Sequence, residues 1–440
     1  MKILFSPAGD TDPVRGFYDG AMLHIIRHHG PMDKGIIFLT KDMEMKEEET
    51  NCYTAGIRSV NPDCNIEFIK SAITDPHQFE SLTALQDAYA DARKRYPEAE
   101  WYLNLSSGTP QIKAVMALLA LDYPDAKAIQ VSTPEKKSNR GNEPWQNKED
   151  LEQMLELNED NGSLSANRCS ISDLTLLKKH SLELQIKSLV QNYEYEGAFR
   201  LIKQNKVLFS EITEKLLQHA VNRENLMWRK ANKIISQYQN TPLISKAGDF
   251  EEFFQVMELR QKKKQLPEFI VKISPVLTEL GETYLDKIKE FDISRCGYQS
   301  TKGFRIDREK MNAFDPYLVQ FLDRELRGTL RSGWLSFNII AYICQYYSEN
   351  SEKNNEEHQE ITKAFLQLRK VEEKVRHRIA HEIITNIDES EIQKLTQGTI
   401  DKGLKSAQIL YLLHRTTKLI RGEDVHWDYD QLNEKIIESL

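Results

Sequence analysis

Trp101-Tyr102-Leu103-Asn104-Leu105-Ser106-Ser107-Gly108-Thr109-Pro110-Gln111 decides how the first half of the chain reads. Trp101–Leu105 is a short apolar run of strand type. In the loop that follows, Gly108 permits a close backbone approach, Thr109 can cap a helix and Pro110 suits the first helical position. An apolar helical pattern continues from Pro110 to Leu121. Strand, small polar loop and capped helix in direct succession form one βα step. Such a loop offers backbone N–H groups and hydroxyls to an anion at the helix N-terminus.

The same alternation extends to both sides. Lys2–Ser6, Gly35–Thr40, Asn65–Lys70 and Lys127–Thr133 are further strand runs, with helical patterns at Gly20–His29, Glu47–Val60 and Gln78–Arg95. This spacing predicts a doubly wound, mostly parallel sheet, whose ligands gather beyond the carboxyl ends of the strands where the strand order switches. The loop after strand one, Ser6-Pro7-Ala8-Gly9-Asp10-Thr11-Asp12-Pro13, is equally small and polar. The candidate ligand contacts are therefore Gly9, Asp10, Thr11 and Asp12 in the first loop. In the second they are Ser106, Ser107, Gly108, Thr109, Pro110 and Gln111. Neither loop is a Walker or GxGxxG sequence, which argues against ATP hydrolysis and NAD binding. His24, His28 and His29 read as surface or packing residues, because no carboxylates stand at ligand spacing beside them. Loop-forming sequence from Pro134 to Ser170 ends the pattern.

Beyond Asp173 the chain reads as nearly all helix, with no strand pattern of any strength. Helices are expected at Leu182–Tyr193, Tyr195–Gln204, Glu251–Gln265, Pro267–Phe291, Tyr317–Ser348, Ile361–Ile384 and Glu391–Ile420. In the sixth, Leu368, Val371, Val375, Ile379 and Ile383 share one stripe, while His377 and His381 lie opposite with Arg376 at the margin. An Arg that can grip a phosphate and a His that moves protons near neutral pH suit work on a phosphodiester. Arg421 and His426 repeat the five-residue spacing of Arg376 and His381. Gly422 and the following acidic pair mark that second match as a helix end and loop. The basic clusters Lys262–Lys264 and Arg324/Arg327/Arg331 read as solvated faces.

Composition sets outer limits. A chain of 440 residues with 40% apolar and 29% charged residues holds two or three ordinary globular domains. No apolar run reaches membrane-spanning length, and Met1–Ser6 enters a strand rather than a leader. Five scattered cysteines without a CxxC pair read as reduced thiols of a cytoplasmic protein, not as a zinc site. A net charge of −8 argues against stable DNA binding but allows local contact with a few nucleotides.

Several stretches together resemble the CRISPR-associated type III-A accessory ribonucleases of the Csm group. They are Met1-Lys-Ile-Leu-Phe-Ser-Pro, Thr11-Asp12-Pro13, Asp19–Ile25, Leu103-Asn104, Ser107–Gln111, Ile129–Pro134 and Arg376–His381. The resemblance implies an α/β plus all-α chain. A Rossmann-like CARF sensor domain would span residues 1–170, a helical linker region 171–245 and an all-helical HEPN ribonuclease domain 246–440. It adds Ser132 to the ligand contacts and implies Arg376, His377 and His381 as catalytic residues. It implies a homodimer, a cyclic oligoadenylate activator (the hexamer for this subgroup), single-stranded RNA as substrate, and no metal or other cofactor. Some members degrade their activator slowly, for which Asp10, Thr109 and Gln111 are the candidates here. Asp10 stands where close relatives carry Asn or Thr, and its carboxylate repels phosphate unless it bonds a ribose hydroxyl or a backbone N–H. Two rival readings are a non-catalytic ligand-sensing regulatory protein and a nucleotide-dependent enzyme dimerised by its helices.

Overall fold

A computed structural model describes residues 1–134, 145, 147–162, 165–236, 248–301, 303–350, 356–376, 387–397 and 403–440. The chain divides into two compact units, Met1–Ser181 and Leu182–Leu440.

In the first unit the strands are β1 (Lys2–Pro7), β2 (Val14–Arg15), β3 (Tyr18–Asp19), β4 (Lys34–Leu39), β5 (Asn65–Lys70), β6 (Glu100–Asn104), β7 (Lys127–Val131) and β8 (Cys169–Ile171). The helices are α1 (Ala21–His29), α2 (Lys41–Thr50), α3 (Cys52–Val60), α4 (Thr83–Arg95), α5 (Pro110–Asp122) and α6 (Lys148–Glu156). The main sheet has the order β5-β4-β1-β6-β7-β8. It is parallel except for β8, which runs antiparallel to β7. From β1 the chain moves outward through β4 and β5, then returns to place β6 on the other flank of β1. The order therefore reverses between β1 and β6. Apolar side chains cover both faces: Phe5, Trp101, Leu103 and Met116 on one, Leu4, Ile25, Ile37 and Tyr53 on the other. Near-continuous burial along β1 and β4 accounts for their unbroken apolar sequences.

Two expectations for this unit change. The helix expected over Glu47–Val60 is two helices, because Asn51 between them takes φ 56°. β8 was hidden in the loop-like sequence after Pro134. It lies at the sheet edge and is only three residues long.

The second unit is mostly helical. The helix α7 (Thr175–Gln191) leads into it, followed by α8 (Tyr195–Gln204), α9 (Glu211–Glu224), α10 (Trp228–Ile235), α11 (Asp249–Lys262) and α12 (Leu266–Leu285). Next come strands β9 (Gly297–Ser300) and β10 (Gly303–Ile306), helices α13 (Arg308–Phe314) and α14 (Pro316–Glu325), and strand β11 (Gly333–Trp334). The remainder is α15 (Phe337–Asn350), α16 (Glu356–Val371), α17 (Glu389–Thr396), α18 (Ser406–Arg421) and α19 (Tyr429–Glu438).

The expectation of a strand-free half is overturned: β9, β10 and β11 form an antiparallel sheet. Its strands have four residues or fewer, too short for an alternation to register in the sequence. The single helix expected over Tyr317–Ser348 is α14, β11 and α15, broken where Arg327 adopts φ 51° beside Gly328. Glu391–Ile420 likewise divides into α17 and α18. Lys263 is not solvated; its ammonium is buried on Glu194 and Glu224.

Two cores hold this unit. One gathers α11, α12, α15, α16 and α18 with Cys296 and Ile306 of the sheet region. The other packs α7 to α9 against Tyr429, Leu432 and Ile436 of α19, so the last helix closes on the first helices of the unit. There Arg223 and Glu252, both 1% exposed, form a bidentate ion pair that joins α9 to α11.

Candidate functional site

The two loops singled out in the sequence follow β1 and β6, the neighbours between which the strand order reverses. They touch. A Cβ on Gly9 would stand 2.7 Å from the backbone nitrogen of Gly108, and Gly108 itself holds φ +87° with its α-carbon facing Ile112. Glycine is thus required on both sides of the contact.

Beneath the glycines runs a buried polar network. The Asn104 side-chain amide donates to the Ser6 hydroxyl at 2.9 Å and to the Ser107 hydroxyl at 2.7 Å. Asp12, fully buried, accepts from the backbone N–H of Gly9 and of Met22, both at 3.1 Å. Burial pushes its carboxyl above the usual range, opposed by hydrogen bonds from Ser107, Met22 and Gly9. Asp12 and Ser107 therefore brace the loops from below.

Above the network lies a cavity of about 780 Å³. Gly9, Asp10, Thr11, Ser106, Gly108, Thr109, Pro110 and Ser132 line it. Asp12, Ser107 and Gln111 do not; the side-chain oxygen of Gln111 is buried without a partner among the described residues. Thr109 uses its hydroxyl twice, accepting from the Ile112 N–H at 3.3 Å and donating to the Pro76 carbonyl at 2.9 Å. It thereby caps α5 and fastens the segment after β5. Ser106 accepts from the Val131 N–H at 2.8 Å and ties the loop to β7.

The lining carries Arg15, Lys113 and Arg168, with His77, and also Asp10, Asp19, Asp42 and Asp75. Among the described residues cations do not outnumber carboxylates, which gives weight to backbone donors in holding an anionic ligand. Among the described residues three helices supply them: α1, α2 and α5 all start at this cavity, and neither the α1 nor the α2 N-cap makes a side-chain cap hydrogen bond there.

Sequence reading missed Thr40, the Thr74–His77 segment and Arg168 as lining residues. The first two follow β4 and β5, where the strand-end rule points. Arg168 precedes the unforeseen strand β8. His24 also differs from the expectation of a histidine without nearby carboxylates. Its Nδ1 lies 3.4 Å from Asp19 and 3.7 Å from Asp160, within a group whose atoms have metal-like proximity. Arg27 already bonds Asp19 and Arg168 bonds Asp160, at 2.7 and 2.6 Å, so cationic side chains occupy these carboxylates. The backbone N–H of Arg168 donates to His24 Nε2, which favours the Nδ1–H form.

In the second unit α16 ends at Val371 and passes into a π-helical turn, Glu372–Arg376. Such a turn inserts one residue into the helical repeat and recurs at functional sites. Leu368, Val371 and Val375 of the expected apolar stripe are buried. Glu372 accepts a short hydrogen bond from Ser274 of α12, and Arg369 bonds Asn338 at 2.7 Å and Glu373 at 3.2 Å. The segment is thus held on several sides up to Val375, and the side chain of Arg376 lies outside the described residues. His377 and His381, with Ile379 and Ile383 of the stripe, lie outside the described residues. The second Arg/His match is the helix end read from the sequence: Gly422 closes α18 at φ +84°, and Arg421 pairs with Glu251 and Glu279.

Three family models match in order along the chain. The Cas_Csm6 CARF domain matches residues 63–169, the CRISPR-associated protein Csm6 6H domain residues 172–224, and the Cas_Csm6 HEPN domain residues 243–437. The Csm6 endoribonuclease of the CRISPR system of Enterococcus italicus is 32% identical over 297 residues, covering 65% of this chain and 67% of its own. The chain belongs to the Csm6 family. Csm6 of Mycobacterium tuberculosis, also a CRISPR system endoribonuclease, is 27% identical over 441 residues, 100% of this chain and 98% of that protein. The solved structure of Enterococcus italicus Csm6 bound to cyclic hexa-2′-fluoro-hexa-dAMP matches with a TM-score of 0.63 at 23% identity, over 100% of both chains. That likeness supports the mixed α/β region and the helical region that follows it. No helix among the described residues is long and apolar enough to cross a membrane.

Proposed function

We propose that this Csm6-family chain is a cytoplasmic endoribonuclease of type III CRISPR antiviral defence that cleaves single-stranded RNA when a cyclic oligoadenylate fills the cavity at the β1–β6 reversal. The carrying observation is that cavity. It is wide, it lies where α/β sheets bind nucleotides, and three helix N-termini converge on it. The relative bound to a cyclic hexa-adenylate analogue supports the hexamer as activator. Asp10 lines the same cavity, and a ribose hydroxyl is the partner that suits its carboxylate. Slow activator cleavage there would involve Asp10 and the Thr109–Gln111 turn.

The domain limits we assign are 1–170 for the sensor, 171–245 for the linker region and 246–440 for the nuclease. The active form is a homodimer in which Arg376, His377 and His381 of both protomers make one composite site. The substrate ribose 2′-OH attacks the adjacent phosphorus, and the 5′-oxygen leaves. His381 moves the proton, Arg376 stabilises the charge on the phosphorane, and His377 orients both. No metal enters these steps, since the attacking and leaving oxygens belong to the RNA itself and a guanidinium meets the developing charge.

The test is a titration of cyclic oligoadenylates of different ring size against RNA cleavage, with analysis of the new ends. The hexamer is expected to activate, leaving 2′,3′-cyclic phosphate or 3′-phosphate ends. A 5′-phosphate product would refute the mechanism.

A further inference from the structure

In the small sheet of the second unit the central strand β10 turns one side to the core and the other outward. Phe304 packs on the core, and Ile306 and Leu335 are buried. The open face carries a row of three residues in direct cross-strand register. Tyr298 of β9 faces Arg305 of β10, and Arg305 faces Trp334 of β11. Tyr298 is 49% exposed and Trp334 46% exposed, so both rings are open to solvent on the same face.

The charge on this face is positive. The Arg305 guanidinium lies 5.0 Å from the centre of the Trp334 ring, and the Lys310 ammonium 5.9 Å from that of Tyr298. Arg305 Nε is buried and has no hydrogen-bond partner among the described residues, so the stem of this cation lies against the sheet. By strand parity the face holds Tyr298, Ser300, Gly303, Arg305 and Trp334, with no carboxylate among them. Arg327 and Arg331, both exposed, stand in the segment that enters β11. The outer strands are about 10 Å apart. Two rings at that separation with a guanidinium between them match two nucleobases and the phosphate that joins them. Single-stranded RNA is read on sheets in this way, by stacking on aromatic rings and by Arg on the backbone.

We propose that this face is a contact surface for the single-stranded RNA substrate, with Tyr298 and Trp334 stacking on bases and Arg305 holding phosphate. The inference rests on the ribonuclease reading for the identity of the polymer. The sheet and the catalytic segment are built on one core, which contains Cys296 and Ile306 together with Leu368, Val371 and Val375. RNA held on the sheet is therefore held by the nuclease unit itself.

The experiment uses the full chain and a fluorescein-labelled single-stranded RNA with 2′-O-methyl riboses, which lacks the attacking hydroxyl. Binding is followed by fluorescence polarisation, and oligomeric mass by light scattering. Trp334→Ala and Arg305→Ala are each expected to weaken binding by about fivefold or more. Arg305→Lys should recover part of the loss. Tyr317→Ala, an exposed ring on α14 outside the sheet, should bind as wild type. On cleavable RNA the two alanine variants should raise KM while kcat stays within about twofold. Wild-type affinity in both alanine variants overturns the inference. So does a change of oligomeric mass, which would make the face a protein contact. If the chain binds RNA through this row but never cleaves it, the ribonuclease reading fails and the surface stands. If it cleaves with unchanged KM in both variants, only the surface fails.

Discussion

Gly9 and Gly108 lie so close that a Cβ on the first would meet the backbone nitrogen of the second at 2.7 Å. Two loops far apart in sequence are thereby pressed into one cavity floor, with Asp12, Ser107 and Asn104 locked beneath them. Gly108→Ala would force a side chain onto φ +87° and against Ile112, at a cost of about 1–2 kcal/mol. The expected result is cyclic hexa-adenylate binding weakened about tenfold, about 1.4 kcal/mol, by isothermal calorimetry. Equal affinity would remove the glycine contact from the binding account.

Thr109 is a tether as well as a cap, since its hydroxyl joins the start of α5 to the Pro76 carbonyl. Thr109→Ala should cost about 1 kcal/mol of stability. It should also shift the activation curve to higher cyclic oligoadenylate, because the Thr74–His77 wall of the cavity is released. Thr109→Ser, which keeps the hydroxyl, should restore both. If serine and alanine behave alike in the titration, the tether has no part in activation.

His414 gives a pH signature in the second unit. Its Nε2 lies 2.9 Å from Glu258 and its Nδ1 2.7 Å from Asp424. Burial opposes its charge, but the two carboxylates outweigh this and hold its pKa above the ordinary 6.5. A raised histidine pKa stabilises the fold fully below the unfolded value, and that stability is lost as pH rises through the folded value. The Tm advantage of wild type over His414→Ala should therefore be largest below pH 6.5 and shrink at higher pH. A gap that widens with pH would contradict the paired, charged imidazole.

The main sheet of the first unit was legible because its strands are buried on both faces and so read as apolar runs between helices. The loop pair was legible because Gly, Thr and Pro have fixed uses at a βα turn. Thr74–His77 and Arg168 were not, since nothing local marks them and only the closing of the sheet brings them to the cavity. The same holds for His24, whose partner Asp160 is far away in the chain. In the helical unit, residues with positive φ such as Arg327 ended helices that periodicity carried straight through. The sheet that holds Tyr298, Arg305 and Trp334 was too short to show a period, and Arg324, Arg327 and Arg331 looked like an ordinary solvated face.

The central claim is that activator in the first unit turns on metal-free cleavage by Arg376 and His381. It is tested most directly by the rate of single-stranded RNA cleavage in excess EDTA, with and without cyclic hexa-adenylate. Wild type, Arg376→Ala, His381→Ala and His426→Ala are compared, the last altering the exposed histidine after α18. The account predicts activator-dependent cleavage in wild type and His426→Ala, and a loss of about 100-fold or more in the other two. Cleavage that requires added Mg²⁺ or ignores the activator would contradict it. So would cleavage that survives His381→Ala but disappears in His426→Ala.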